Sequence, residues 1–139
     1  MRFDGKMVKK PWGVEYCAYD DGNVAIWYLH IRQGQRTSRH MHLKKATSLQ
    51  LMAGVARVSI GTMGEMSLEA DPLAIMRGVP HATSAVTDSW VVEIETPSDK
   101  LDLVRIEDAY GRNGKPYENG ENIIDFDQRY AYPATEFPA

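Results

Sequence analysis

With 139 residues, 43% of them hydrophobic and 25% charged, the chain has the balance of an ordinary soluble globular protein and the length of one domain around a single core. That composition excludes a disordered or fibrous chain, and no apolar run approaches the roughly 20 residues that a membrane-spanning helix needs. A formal net charge of -3, with no basic helix or aromatic platform in view, argues against nucleic-acid binding.

The single cysteine, Cys17, permits no internal disulfide, which fits a reducing, cytoplasmic setting. The N-terminal MRFDGKMVKKPWG carries charges with no apolar stretch behind them, so no secretory signal is expected. Charge is spread unevenly. From Val24 to Gly64 there is no Asp or Glu, yet Arg32, Arg36, Arg39, Lys44, Lys45 and Arg57 all fall there, a bias that favours an anionic ligand.

Along the chain, Val14–Tyr19 alternates loosely and predicts a strand ended by the turn signal Asp20-Asp21-Gly22-Asn23. Val24–Ile31 is rich in β-branched and aromatic residues; neither of its faces is clearly polar, so it is expected to be buried on both sides, with His30 packed or hydrogen-bonded in the core. Arg32-Gln33-Gly34-Gln35 reads as a turn. In an extended strand residues i and i+2 share a face, which groups Arg36, Ser38, His40 and His42. Two imidazoles on one face can reach one metal ion, and Arg36 beside them can hold a phosphate or carboxylate through paired hydrogen bonds.

Leu43–Ala46 reads as a short connection, with Lys44 and Lys45 as further cations for an anionic ligand. Thr47–Met52 and Val55–Ile60 read as strands, the first with Thr47, Leu49 and Leu51 on one face, the second with Arg57 and Ser59 outward. Met66–Leu68 and Leu73–Met76 are shorter strands, and the turn Gly78-Val79-Pro80 delivers a third imidazole, His81. Three neutral imidazoles converging on one point suit zinc, iron, copper or nickel and leave positions for water or substrate. Ser89–Thr96 alternates Trp90, Val92 and Ile94 against Val91, Glu93 and Glu95, and alternation does not say which set faces inward. Leu101–Tyr110 reads equally as strand or short helix.

At least seven short strands punctuated by turns predict an all-β sandwich or barrel over residues 1–112. Residues 113–139 are expected to form an extended tail that packs Tyr117, Phe126, Tyr130, Tyr132 or Phe137 on the barrel or on a second subunit.

These residues resemble the cupins, single double-stranded β-helix (jelly-roll) barrels. Their first conserved segment runs glycine, five residues, His-x-His, three or four residues, glutamate, six residues, glycine. Here that is Gly34, QRTSR, His40-Met41-His42, LKKA, Thr47, SLQLMA, Gly54: every spacing fits, and Thr47 stands in for the glutamate. The second segment resembles Gly78-Val79-Pro80-His81, with Met76 in the place of the customary proline. Within the cupins the chain is most similar to the C-terminal isomerase domain of the bifunctional mannose-6-phosphate isomerase/mannose-1-phosphate guanylyltransferases. The likeness lies in Lys10-Pro11-Trp12-Gly13, Gly54–Val58, Gly78–His81 and LVRIEDAYGR at Leu103–Arg112. That domain usually has Gln at the position of His40 and Glu at the position of Thr47.

The resemblance implies a homodimer and a divalent metal (zinc, iron, manganese or nickel) on His40, His42 and His81. It also implies a small anionic ligand such as a sugar phosphate, held by Arg36, Lys44 or Lys45, and an isomerase or epimerase of polysaccharide or nucleotide-sugar metabolism. With the motif's glutamate replaced, Glu93 or Glu95 is left to shuttle the proton that such a reaction moves. All-histidine triads are also similar to those of cupin thiol and diketone dioxygenases that use iron(II), which makes a dioxygenase the alternative. A third reading is a non-catalytic cupin that binds a sugar or a metal.

Overall fold

Short β-rich runs closed by glycine turns leave each strand to find its partner across the sequence, and the result is two antiparallel sheets. The computed structural model of the chain describes residues 2–115, 117–118 and 122–126; Tyr130, Tyr132 and Phe137 lie outside them. Its regular elements are strands: β1 (Lys6–Lys10), β2 (Gly13–Asp20), β3 (Ala25–Ile31), β4 (Arg39–Met41), β5 (Ala46–Ala53), β6 (Ala56–Ile60), β7 (Glu65–Ser67), β8 (Leu73–Ile75), β9 (His81–Ala85), β10 (Ser89–Thr96), β11 (Val104–Glu107) and β12 (Ile123–Asp125). The larger sheet runs β12-β1-β2-β3-β10-β5-β8 and the smaller β11-β4-β9-β6-β7. The expected all-β architecture is therefore what forms. Among the described residues no helix is long and apolar enough to cross a membrane.

The two sheets close on a core in which Val8, Cys17, Trp27, Ile31, Leu49, Val58 and Val91 are buried. β3 corrects the expectation of a strand buried on both sides. Ala25, Trp27, Leu29 and Ile31 point inward and are buried, whereas Ile26, Tyr28 and His30 on the other face are partly exposed. Aromatic stacking covers part of that outer face: the His30 ring lies 4.6 Å from Trp90, and Trp90 lies 6.0 Å from Tyr16. An apolar outer face therefore does not require a second layer of protein within the chain.

Two further strands escape a reading by composition. β1, KMVKK, buries only Val8, yet its backbone pairs with β2 on one side and β12 on the other. β9, HATSA, is rich in small residues and lies between β4 and β6, with His81 opposite both His40 and Ile60. The turn signal of Gly78-Val79-Pro80 is followed by a strand whose first residue is the histidine.

The glycines that frame the His-x-His segment do different work. Gly34 and Gly54 both have positive φ, +77° and +89°. Among the described residues a Cβ on Gly34 would meet nothing within 4 Å, but one on Gly54 would lie 2.2 Å from the Asp88 carbonyl oxygen and 2.9 Å from the Ser89 Cα. Gly34→Ala is therefore expected to cost about 1–2 kcal/mol, the backbone strain alone, and Gly54→Ala clearly more than that. Urea unfolding of the two variants beside the parent protein measures the difference.

Candidate metal centre

The smaller sheet sets the histidines. β4 pairs with β9 so that His40 faces His81 directly, and His42 follows at the end of β4, where its carbonyl accepts the Gly78 N–H at 2.7 Å. The three ring centroids lie 4.5 to 5.3 Å apart, and one ring nitrogen from each residue lies within 4.8 Å of the others.

Hydrogen bonds behind the rings decide which nitrogen faces inward. The Nδ1 of His40 lies 2.8 Å from the Ser38 carbonyl oxygen, that of His42 2.7 Å from the Asp102 carbonyl and that of His81 3.0 Å from the Val79 carbonyl. A carbonyl only accepts, so each Nδ1 carries the proton and donates it, which leaves the lone pair on Nε2. The Nε2 atoms of His42 and His81 are buried and have no hydrogen-bond partner among the described residues. Burial, with the neighbouring imidazoles, lowers His40 well below 6.5; burial with the Lys45 charge lowers His42 to about 4; burial also lowers His81. All three rings are therefore neutral near neutral pH, with inward lone pairs and orientations tied to the backbone. That donor set fits a divalent transition metal.

A second group of charges shares the interior. On β10, between β3 and β5 in the larger sheet, the inward set is Val91, Glu93 and Glu95, so this strand presents two carboxylates to the core. Each has a cation. Lys100 Nζ donates to Glu93 Oε1 at 2.9 Å and lies 3.4 Å from Glu15 Oε2, while Lys45 Nζ donates to Glu95 Oε2 and the Trp27 indole N–H to Glu95 Oε1 at 3.2 Å. Burial alone would raise the Glu93 carboxyl, but Lys100 and Lys45 hold it well below its ordinary value. Burial would likewise raise Glu15, which Lys10, Lys100 and the Tyr117 hydroxyl hold low.

One cavity is lined by the three histidines together with Glu93, Lys45, Lys100 and, on a further wall, Lys10, Arg105 and Arg112. Of the residues named from sequence, His40, His42, His81, Glu93 and Lys45 meet there. Glu95 lies beneath, bound to Lys45. Thr47 is buried with no partner for its hydroxyl among the described residues, but does not line the cavity. Arg36 and Lys44 lie elsewhere, with exposed side chains. The strand geometry projected from His40 back to Arg36 fails because β4 begins only at Arg39; Arg36 lines a separate groove with Arg39 and Glu107. At Lys44 the backbone N–H, along with those of Leu43 and Lys45, is taken by the Asp102 carboxylate, and that turn directs Lys45 inward and Lys44 to solvent.

Sequence reasoning missed Asp102, which anchors this turn through its side chain and His42 through its carbonyl. It also missed the cations Lys10, Arg105 and Arg112. The stretches Lys10–Gly13 and Leu103–Arg112 stood out as motifs, and that was the available signal, although nothing in them indicated which side chains turn inward. Arg105 stands opposite His40 in the β11–β4 pairing, which carries it to the cavity wall.

No protein-family model matches the chain. Among curated proteins, a mannose-1-phosphate guanylyltransferase of Salmonella typhimurium is 31% identical over 112 residues, 76% of this chain. The chain spans 23% of that protein's length. Among solved structures, an uncharacterized conserved protein from Klebsiella pneumoniae with a double-stranded β-helix domain matches with a TM-score of 0.63 at 14% identity, over 72% of this chain and 84% of that one. The oxalate decarboxylase of Bacillus subtilis matches with a TM-score of 0.61 at 18% identity, over 76% of this chain and 31% of that one. The chain has the cupin fold. In this fold the His-x-His segment, β4 and the turn after it, and the histidine that opens β9 lie where two strands of the smaller sheet pair.

Two measurements follow from the geometry. Metal analysis of protein purified without added metal should find about one transition-metal ion per chain, lost in His42→Ala and His81→Ala and retained in Thr47→Val, whose hydroxyl lies outside the cavity. The depressed Glu15 and the similarly depressed Glu118, held down by Lys10, Arg112 and Arg105 against the upward pull of burial, contribute stability that is fully present above their unfolded value of about 4.5. That contribution falls away as pH drops through the lower folded values. Urea midpoints measured from about pH 8 down to about pH 3 should be flat at first, begin to decline below about pH 6.5, where the unfolded chain protonates the three histidines that the fold keeps neutral, and decline further below about 4.5 as the carboxylates' contribution is lost.

Proposed function

We propose that this cupin is a metal-dependent enzyme acting on a small anionic sugar, an isomerase or epimerase of sugar phosphates. The observation that carries the reading is the position of Glu93. Its carboxylate lines the same cavity as His40, His42 and His81, so the site has an acid–base group although the motif's glutamate is replaced by Thr47. The sequence likeness to a mannose-1-phosphate guanylyltransferase supports the substrate class.

The three histidines would hold the ion through their Nε2 atoms. When bound, a divalent ion supplies Lewis acidity toward a carbonyl and its neighbouring hydroxyl. Glu93, kept charged by Lys100 and Lys45, accepts the proton from the carbon next to the carbonyl and returns it on the same face to the former carbonyl carbon, while the proton of the neighbouring hydroxyl passes to the carbonyl oxygen. Lys100 holds that carboxylate in place at 2.9 Å. Lys10, Arg105 and Arg112 take the anionic end of the substrate, the part first assigned to Arg36 and Lys44. Trp12, Leu29, Leu49 and Leu103 provide apolar wall that keeps bulk water from the reacting carbons. The homodimer and cytoplasmic setting implied by the cupin resemblance belong to the same reading.

A three-histidine iron(II) dioxygenase has one observation in its favour: among the described residues the converging donors are three imidazoles, with no carboxylate in the group.

Metal-free protein reloaded separately with zinc, manganese, nickel or iron(II) and given mannose 6-phosphate or related aldose phosphates is expected to turn over with at least one ion. Glu93→Gln should lower kcat by roughly 10²- to 10⁴-fold while substrate binding persists. Absence of turnover with every ion would remove the isomerase reading, and iron-dependent oxygen uptake would put the dioxygenase in its place.

A further inference from the structure

Glu118 is where positive charge converges on a single atom. Its Oε1 accepts from Arg105 Nη2 at 2.8 Å, from Lys10 Nζ at 3.2 Å and from Arg112 Nη1, while Oε2 accepts only a long contact from Asn122 Nδ2 at 3.4 Å among the described residues. The three cationic side chains are 3%, 5% and 12% exposed, and that of Glu118 is 9% exposed. The cations line the cavity that holds the histidines, and Glu118 is not among the residues that line it.

The match between acceptor and donors is poor. A carboxylate oxygen has about two lone-pair directions, so three charged donors on Oε1 oversubscribe it while its twin is nearly idle. Each cation has a second partner, Arg112 on both Asp108 carboxylate oxygens at 2.9 and 3.1 Å, Arg105 on the Lys115 carbonyl at 3.3 Å and Lys10 at 3.6 Å from Glu15 Oε1, so only the donors now crowded on Glu118 are open to exchange. A phosphate monoester carries about two negative charges and three terminal oxygens, enough to give each of those donors its own acceptor. It would meet the cations from the cavity side, next to the strand that carries His40, since Arg105 is the cross-strand partner of His40.

We propose that Lys10, Arg105 and Arg112 form an oxyanion site for a phosphate monoester, and that Glu118 is a built-in competitor for it that lets go when the phosphate enters. The contact is autoinhibitory: the chain's own carboxylate lowers the apparent affinity for the anion by the fraction of time it holds the cations. This rests on the reading of the cavity as one for an anionic sugar phosphate, but on neither the metal nor turnover.

The test is calorimetric titration of inorganic phosphate, and in a second arm of mannose 6-phosphate and mannose, into metal-free protein and its Glu118→Gln variant. Glu118→Gln is expected to bind phosphate roughly tenfold more tightly, the gain if the open clamp is populated about a tenth of the time in the parent. Mannose 6-phosphate should show the same gain and mannose none. Arg105→Gln added to Glu118→Gln should abolish it. Unchanged or weaker phosphate binding in Glu118→Gln, or no phosphate binding by either protein, overturns the proposal. Should Glu118→Gln fail to fold, hydrogen exchange of the parent decides. Phosphate should speed exchange at the amides of residues 117, 118 and 122–126, and unchanged or slower exchange overturns the proposal. Tighter phosphate binding by a protein that converts no aldose phosphate would sink the isomerase reading and leave this one standing.

Discussion

Three carboxylates, Glu15, Glu93 and Glu95, are buried between the two sheets, and the need to pair them organises much of the rest. A charge in a low-dielectric interior is tolerated only with a partner and with its remaining lone pairs engaged. Lys10, Lys45 and Lys100 provide the charges, the Trp27 indole and the Tyr117 hydroxyl complete the hydrogen bonds, and Lys100 also lies over the Trp27 ring at 4.2 Å. Each partner comes from a different part of the chain. Lys10 ends β1, Lys45 precedes β5, Lys100 follows β10, and Tyr117 lies beyond β11. The network ties the ends of the fold to its middle.

The same network bears on the histidines. Lys45 is turned inward by a loop whose three amides converge on the Asp102 carboxylate, and the Asp102 carbonyl orients His42. One residue thus sets both a ring that faces the proposed metal and a lysine that pairs with Glu95 and helps Lys100 hold Glu93 charged. The imidazoles themselves stay neutral because burial resists a positive charge more than the surrounding carboxylates favour one. The cavity therefore combines neutral nitrogen donors on one wall with a charged carboxylate and cations on the others.

Legibility in the sequence follows the range of the interaction involved. The glycine-punctuated strands and the His-x-His spacing are local, and both survive intact. β3 was misjudged because its outer face is covered by Trp90 and Tyr16 from neighbouring strands rather than by a second layer. Arg36 was misplaced because period-two reasoning holds only while a strand lasts, and β4 is three residues long. Glu93 and Glu95 were visible as an alternating pair, but their inward direction depends on β10 lying between β3 and β5.

The sequence by itself determined the all-β fold class, the three imidazoles and the threonine that replaces the motif's carboxylate, because each is a matter of residue type and near-neighbour spacing. Only the tertiary structure decided which charges enter the barrel. Lys10, Lys100, Arg105, Arg112 and Glu118 come together from positions up to 108 residues apart, and no local period encodes a contact of that range. What sets it is the pairing of β1 with β2 and of β11 with β4, which carries these side chains to one wall where a buried charge must find its opposite.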